Sequence, residues 1–157
     1  MTAIGLTGHQ VMPAAAFEHA EQELRDLLER HPRPQGLCSL AVGSDQLFAR
    51  LVLQTGGELH AVIPSAGYER TFGPAELASY RELSAAAATT TVLDFDEPGE
   101  SAFHAAGMYV VDHCDLLAAV WDGQPARGLG GSADVVRYAH MVGRPVTIIW
   151  PRGARRD

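Results

Sequence analysis

Asp115-Leu116-Leu117-Ala118-Ala119-Val120-Trp121-Asp122-Gly123, then Gly130-Gly131-Ser132-Ala133-Asp134-Val135-Val136-Arg137-Tyr138-Ala139, then Gly143-Arg144-Pro145-Val146-Thr147-Ile148-Ile149-Trp150 form the stretch on which the fold turns. An apolar run at 115–121 leads into a glycine-rich loop over 122–131. A helical pattern at 132–142 follows, and a second apolar run fills 145–150. Strand, loop, helix and strand in that order make one βαβ unit.

The same unit recurs toward the N-terminus. Apolar runs at 3–6, 37–42, 59–63 and 89–93 read as strands. Between them lie helical patterns from Pro13 to Pro32, at 46–55, at 75–87 and at 100–113. In the first, Phe17, Ala20, Leu24, Leu27 and Leu28 share a face, with Glu18, Glu21, Glu23, Arg25 and Glu29 largely elsewhere. Six strands alternating with helices predict a Rossmann-like, doubly wound α/β fold, with a mostly parallel sheet and helices on both faces. One domain over 1–151 and a short basic tail over 152–157 are expected. Ligands in such sheets bind beyond the carboxyl ends of the strands. That singles out the loops 7–12, 43–46, 64–74, 94–99 and 121–132.

Composition narrows the chemistry. The chain has 157 residues, 46% of them hydrophobic and 20% charged, enough apolar content for a packed core. Its net charge of −7 argues against nonspecific binding to nucleic acid or to anionic membranes. It contains no lysine and no asparagine. That excludes a Walker A lysine, Schiff-base chemistry on lysine, and N-glycosylation. Cys38 and Cys114 sit in apolar surroundings and read as buried core thiols. No uncharged apolar run approaches the roughly 18 residues of a membrane span. The N-terminus has no basic region before its first strand, so neither a signal peptide nor a membrane partner is expected, and the cytoplasm is the expected location.

The loops carry the candidate site. In Thr7-Gly8-His9-Gln10 the glycine lets backbone N–H groups approach an anion, and Thr7 adds a hydroxyl. His9 is either a hydrogen-bond donor or general acid, or a surface histidine. In Gly43-Ser44-Asp45 either polar side chain can cap the next helix, and Asp45 can instead bond a ribose hydroxyl or a base edge. Tyr68 and Arg70 lie in a long loop suited to a lid, the first to stack on a base, the second to clamp a phosphate. Asp122, Gly123, Arg127, Gly128, Gly130, Gly131 and Ser132 form a glycine-rich cradle at a helix start, able to hold phosphate without lysine. Asp112-His113-Cys114-Asp115 is expected at the opposite end of the sheet, and consecutive residues cannot converge on one ion, so no metal site is expected.

The run 115–123, the Gly130-Gly131-Ser132 helix start with Tyr138-Ala139, and Gly143-Arg144-Pro145-Val146 resemble the SLOG superfamily of Rossmann-like nucleotide-binding proteins. Ser39-Leu40-Ala41-Val42-Gly43-Ser44-Asp45 is similar to the second glycine loop of several members. The C-terminal pattern also resembles nucleoside deoxyribosyltransferases. The resemblance implies a small nucleotide-type ligand, no resident cofactor that is certain, and self-association through helices. It leaves open a Mg²⁺ that arrives with a phosphate. Members that cleave N-glycosidic bonds carry Gly-Thr-x-x-Glu. Here Ser132 takes the threonine position and Val135 the acid position. Asp134 stands one residue early, about 100° around the helix. A binding role is therefore favoured over hydrolysis or transfer, for which Asp45, Asp122 and Asp134 are the candidate carboxylates. An oligomerising adaptor with a vestigial cleft is the third reading, drawing on the alanine-rich segments 85–88 and 102–106.

Overall fold

The computed structural model describes residues 2–125 and 131–154. Six parallel strands form one sheet in the order β4-β3-β2-β1-β5-β6. The strands are β1 (Ala3–Gly8), β2 (Gln35–Cys38), β3 (Glu58–Ile63), β4 (Thr89–Val92), β5 (Leu116–Val120) and β6 (Val146–Ile149). The helices are α1 (Ala14–Glu29), α2 (Ser44–Gln54), α3 (Pro74–Ala86), α4 (Glu100–Asp112) and α5 (Ser132–Met141). A 3₁₀ turn at Tyr68–Thr71 interrupts the long loop after β3. The expected fold is the observed one.

The chain steps from β1 through β2 and β3 to β4 in one direction, then crosses back to place β5 on the other side of β1. Right-handed crossovers therefore put α1, α2 and α3 on one face and α4 and α5 on the other. Each face has its own core. Ile4, Leu6, Leu24, Leu28, Phe48 and Leu59 fill the first. Leu37, Val62, Val110, Leu117 and Val135 fill the second. At about 25 cal/mol per Å² of apolar area removed from water, these two layers supply the main folding force. The crossover makes the seam between β1 and β5 a switch point, where the loops after the two strands part toward opposite faces.

Two strands end more than one residue away from the expected carboxyl end, each for a visible reason. β1 runs on to Gly8 because Thr7 and Gly8 stay in register with Ala119 and Val120 of β5. β2 stops at Cys38 instead of 42. The amides of Ser39 and Ala41 turn to the Asp45 carboxylate, and Leu40 takes a left-handed conformation at φ 58°. The alanine-rich segments also divide. Ala102 and Ala106 are packed inside the chain, each 1% exposed. Ala85, Ala86 and Ala88 are exposed. Among the described residues no helix is long and apolar enough to cross a membrane.

Candidate functional site

A cavity of about 440 Å³ opens at the carboxyl end of the sheet, over the switch point. Its floor is Thr7, Gly8 and His9 from the end of β1. Gly131 and Ser132 at the start of α5 form one wall, and Ser39 and Ala41 of the β2–α2 loop with Asp45 of α2 form another. Tyr68, Thr71 and Phe72 close it on the β3 side, and Glu100, Phe103, Gly107 and Val110 of α4 lie over it.

The first two loops are locked by close approach. Ser44 is fully buried, and its hydroxyl and amide both donate to the His9 carbonyl, at 3.0 and 3.3 Å. A Cβ on Gly8 would collide with Ser44, and one on Gly43, at φ +84°, with the Gln10 backbone. Gly43 and Ser44 thus hold the wall and do not line the cavity. The β5–α5 loop is tied in by His9. Its Nε2 lies 3.2 Å from both the Asp122 amide and Asp122 Oδ1, and its ring meets Trp150 edge-on at 5.4 Å. Asp122 Oδ1 also accepts from the Gln124 amide at 3.0 Å, and Gly123 makes the turn at φ +83°. Asp122 and Gly123 lie outside the lining, where they shape the loop.

The start of α5 is built to receive an acceptor. Gly131 precedes the helix and no side chain caps it. The amides of Asp134 and Val135 return to the Gly131 carbonyl, while those of Ser132 and Ala133 find no acceptor among the described residues. Aligned peptide dipoles add partial positive charge there. The Ser132 hydroxyl stands 3.2 Å from that of Thr7. Asp134 points away to Arg137, at 3.4 Å, and lies outside the lining. Val135 lines the cavity, so an apolar side chain occupies the position that the glycosidase pattern gives to glutamate. Arg127, Gly128 and Gly130 lie outside the described residues.

Another part of the lining is aromatic and acidic. Tyr68 packs edge-on against Phe72, Tyr80 and Phe103, with ring centroids 5.1, 5.6 and 6.3 Å away. Asp45 is 7% exposed. Its Oδ2 accepts from the amides of Ser39 and Ala41, at 3.0 and 3.4 Å. Burial pushes its carboxyl up to about 7, against which those two hydrogen bonds pull down. Burial, followed by the Asp45 charge, likewise raises the Cys38 thiol and the Tyr68 phenol well above their usual ranges. Arg70 takes no part in the lining. It pairs with Glu97 on the surface, its side chain 64% exposed.

The structure thus brings Thr7, Gly8, His9, Asp45, Tyr68, Gly131 and Ser132 around one cavity. Sequence reading missed Gln10, Ser39, Glu100 and the α4 stripe Phe103, Gly107 and Val110. The stripe was detectable, since residues four and three apart share a helix face. Glu100 carried no signal beyond its place at a helix start. Asp112, His113, Cys114 and Asp115 sit at the far end of the sheet, where Asp112 Oδ1 accepts from Tyr138 and Asp115 Oδ2 from the Ala3 amide, both at 2.8 Å. Among the described residues no three His, Cys, Asp or Glu side chains converge as metal ligands.

The chain has a Rossmann-like α/β fold with its cavity over the β1–β5 seam, and it shares that fold with several solved structures. In particular the chain is similar to the DNA processing protein A of Streptococcus pneumoniae, with TM-score 0.70 and 21% identity over 94% of this chain and 50% of that one. It is similar to the Helicobacter pylori protein of that name, described for its single-stranded DNA binding mode (TM-score 0.73, 16% identity, 99% and 68% covered). It is also similar to the molybdenum cofactor binding protein of Rippkaea orientalis (TM-score 0.63, 19% identity, 94% and 75% covered). The chain spans about half the length of the Streptococcus protein. No protein-family model matches the sequence. No curated protein matches it either. The likeness to a single-stranded DNA binder leaves the expectation against nucleic acid resting on net charge alone.

Proposed function

We propose that the protein binds a nucleotide or nucleotide-derived small molecule in the cavity over the β1–β5 seam. The observation that carries this reading is the uncapped start of α5, with the Thr7 and Ser132 hydroxyls paired beside it at one end of a 440 Å³ cavity. Unspent amides, hydroxyls and a helix dipole together suit a phosphate. The volume falls in the range of about 300–1,000 Å³ usual for small-ligand sites. Another part of the lining offers aromatic edges and one buried carboxylate, suited to a heterocycle or a sugar. The fold likeness to a molybdenum cofactor binding protein agrees with a ligand of this size.

A thermal-shift panel of nucleotides, NAD, ADP-ribose and pterin nucleotides tests the reading. A ligand at about 100 times its Kd adds about 2.7 kcal/mol of stability, a shift of several degrees for one domain. Failure of every phosphate-bearing compound at millimolar concentration overturns it.

A second reading, hydrolysis or transfer at an N-glycosidic bond, draws on one observation. Asp45 lines the cavity with its carboxyl held at about 7, a value suited to general acid–base work. Asp122 and Asp134 lend it no support, being outside the lining. Turnover of a compound that binds, lost in Asp45→Asn, would establish it over binding alone.

A further inference from the structure

The Asp45 carboxylate is half used. Oδ2 holds the two backbone amides that end β2, but Oδ1 accepts nothing from the described residues, although the side chain is 7% exposed and lines the cavity. Tyr68 is in the same position. It is 4% exposed, it lines the cavity, and its hydroxyl makes no hydrogen bond with a described residue. Both side chains are nearly buried yet line the cavity, so a ligand can supply the partner that each polar atom lacks among the described residues. Phe72 and Phe103 wall the cavity beside Tyr68.

We propose that Asp45 Oδ1 and the Tyr68 hydroxyl read the edge of a planar nitrogen heterocycle, Asp45 accepting one ring or exocyclic N–H and Tyr68 donating to the acceptor beside it. This rests on the nucleotide reading above and fixes the ligand's direction: base at Asp45, phosphate at Ser132. Only one carboxylate oxygen is available, so the contact is a single N–H···O bond and not a paired clamp. The aromatic walls favour a flat ring over a sugar. The two carboxylates of the lining, Asp45 and Glu100, with no arginine among the described lining residues, disfavour a second anionic group at this end.

The groups facing Asp45 shape its pH response. Cys38 and Tyr68 are both held up by burial and stay neutral around pH 7. Glu100 lies across the cavity at its exposed rim. His9 lines the floor, and histidine is the other side chain that changes charge near neutrality, so the readout is the difference between wild type and Asp45→Asn.

Isothermal titration at pH 6 and pH 8 with adenosine 5′-monophosphate, guanosine 5′-monophosphate and ribose 5-phosphate tests the proposal. A carboxylate that must be ionised to accept, with a midpoint of about 7, gives about tenfold tighter nucleotide binding at pH 8 than at pH 6. In Asp45→Asn the amide oxygen keeps the two backbone donors, and its NH₂ faces the cavity as a donor in place of an acceptor. Nucleotide affinity at pH 8 then falls at least tenfold and the Asp45-dependent pH response disappears. Tyr68→Phe keeps the ring and loses several-fold in nucleotide affinity. Ribose 5-phosphate binds all three proteins alike. Nucleotide binding that is unchanged in Asp45→Asn and Tyr68→Phe overturns the assignment and leaves the phosphate reading standing. Equal losses for ribose 5-phosphate would place the sugar at Asp45 and also overturn it. Binding of none of the three probes overturns the inference, and if the broader panel fails too, the reading beneath it falls.

Discussion

The hydroxyls of Thr7 and Ser132 lie 3.2 Å apart, although 125 residues separate them in the chain. They join the end of β1 to the start of α5 across the switch point. Each brings a lone pair and a rotatable proton to the place where the Ser132 and Ala133 amides have no acceptor among the described residues. An anion seated there meets two hydroxyls and the helix dipole, with no arginine among the described lining residues.

Ser132→Ala removes one of those donors and leaves the helix uncapped as before. The free protein loses about 1 kcal/mol or less, because Ser132 makes one neutral hydrogen bond in it. Phosphate-bearing ligands lose about fivefold in affinity, the equivalent of about 1 kcal/mol. Thermal shift with and without ligand separates the two effects. A ligand-induced shift as large as in wild type would show that the phosphate sits elsewhere.

Gly8→Ala destabilises the fold with no change in polarity. The added methyl meets Ser44 Oγ, with Ser44 Cβ at 2.8 Å and Val120 Cβ at 3.0 Å. Overpacking of this kind costs about 1–3 kcal/mol. Ser44→Ala in the same background restores only part of the loss, since it clears the hydroxyl and not the Cβ. Urea denaturation of the single and double variants checks this. A fully stable Gly8→Ala would show that the two loops are not held as close as described.

Much of this was legible in the sequence, and the exceptions have physical causes. The parallel six-strand sheet with helices on both faces followed from the alternation of apolar runs and helices, whereas the strand order leaves no mark in the sequence. Gly8 and Ser132 were expected at the cavity from their places after the first apolar run and at the start of α5, and both line it. Arg70 misled because its chain neighbourhood does not show the ion pair with Glu97, 27 residues on. Ser44 misled because a short hydroxyl can face a ligand or a neighbouring carbonyl, and only the approach of the first loop decides which. Asp45 was seen as a cap or a ligand contact. It serves its own loop through one oxygen and opens the other to the cavity, a division that no pattern in one strand or helix encodes.

Asp45 also makes stability depend on pH. Its carboxyl is held at about 7 in the folded protein against 3.8 for the free side chain. Between these values the folded state keeps a proton that the unfolded chain has released, so stability falls as pH rises. The contribution is complete below pH about 4 and lost as pH climbs through about 7, a change of roughly a few kcal/mol. Asp45→Asn flattens this slope and is more stable than wild type at pH 8. Denaturant midpoints at pH 5 and pH 8 measure it. A wild type that gains stability over that interval while Asp45→Asn does not would reverse the sign and refute the assignment.

Leu40 yields the most discriminating mutational test of the β2–α2 loop. Its φ of 58° is costly for a side chain with a Cβ, yet its own side chain is fully buried in the core under α2. The strain is held in place because Gln46 Nε2 donates to the Leu40 carbonyl at 3.2 Å and Asp45 holds the amides on either side. Leu40→Ala loses the buried side chain, about 2–5 kcal/mol, and keeps the strain. Leu40→Gly loses the Cβ as well but relieves the backbone, worth about 1–2 kcal/mol at a left-handed position. Glycine, ordinarily the less stable of the two by its greater freedom when unfolded, is here the more stable. The order of the two melting temperatures decides the matter: alanine above glycine would mean that residue 40 does not adopt the left-handed conformation, and that β2 continues toward the cavity as its apolar sequence suggests.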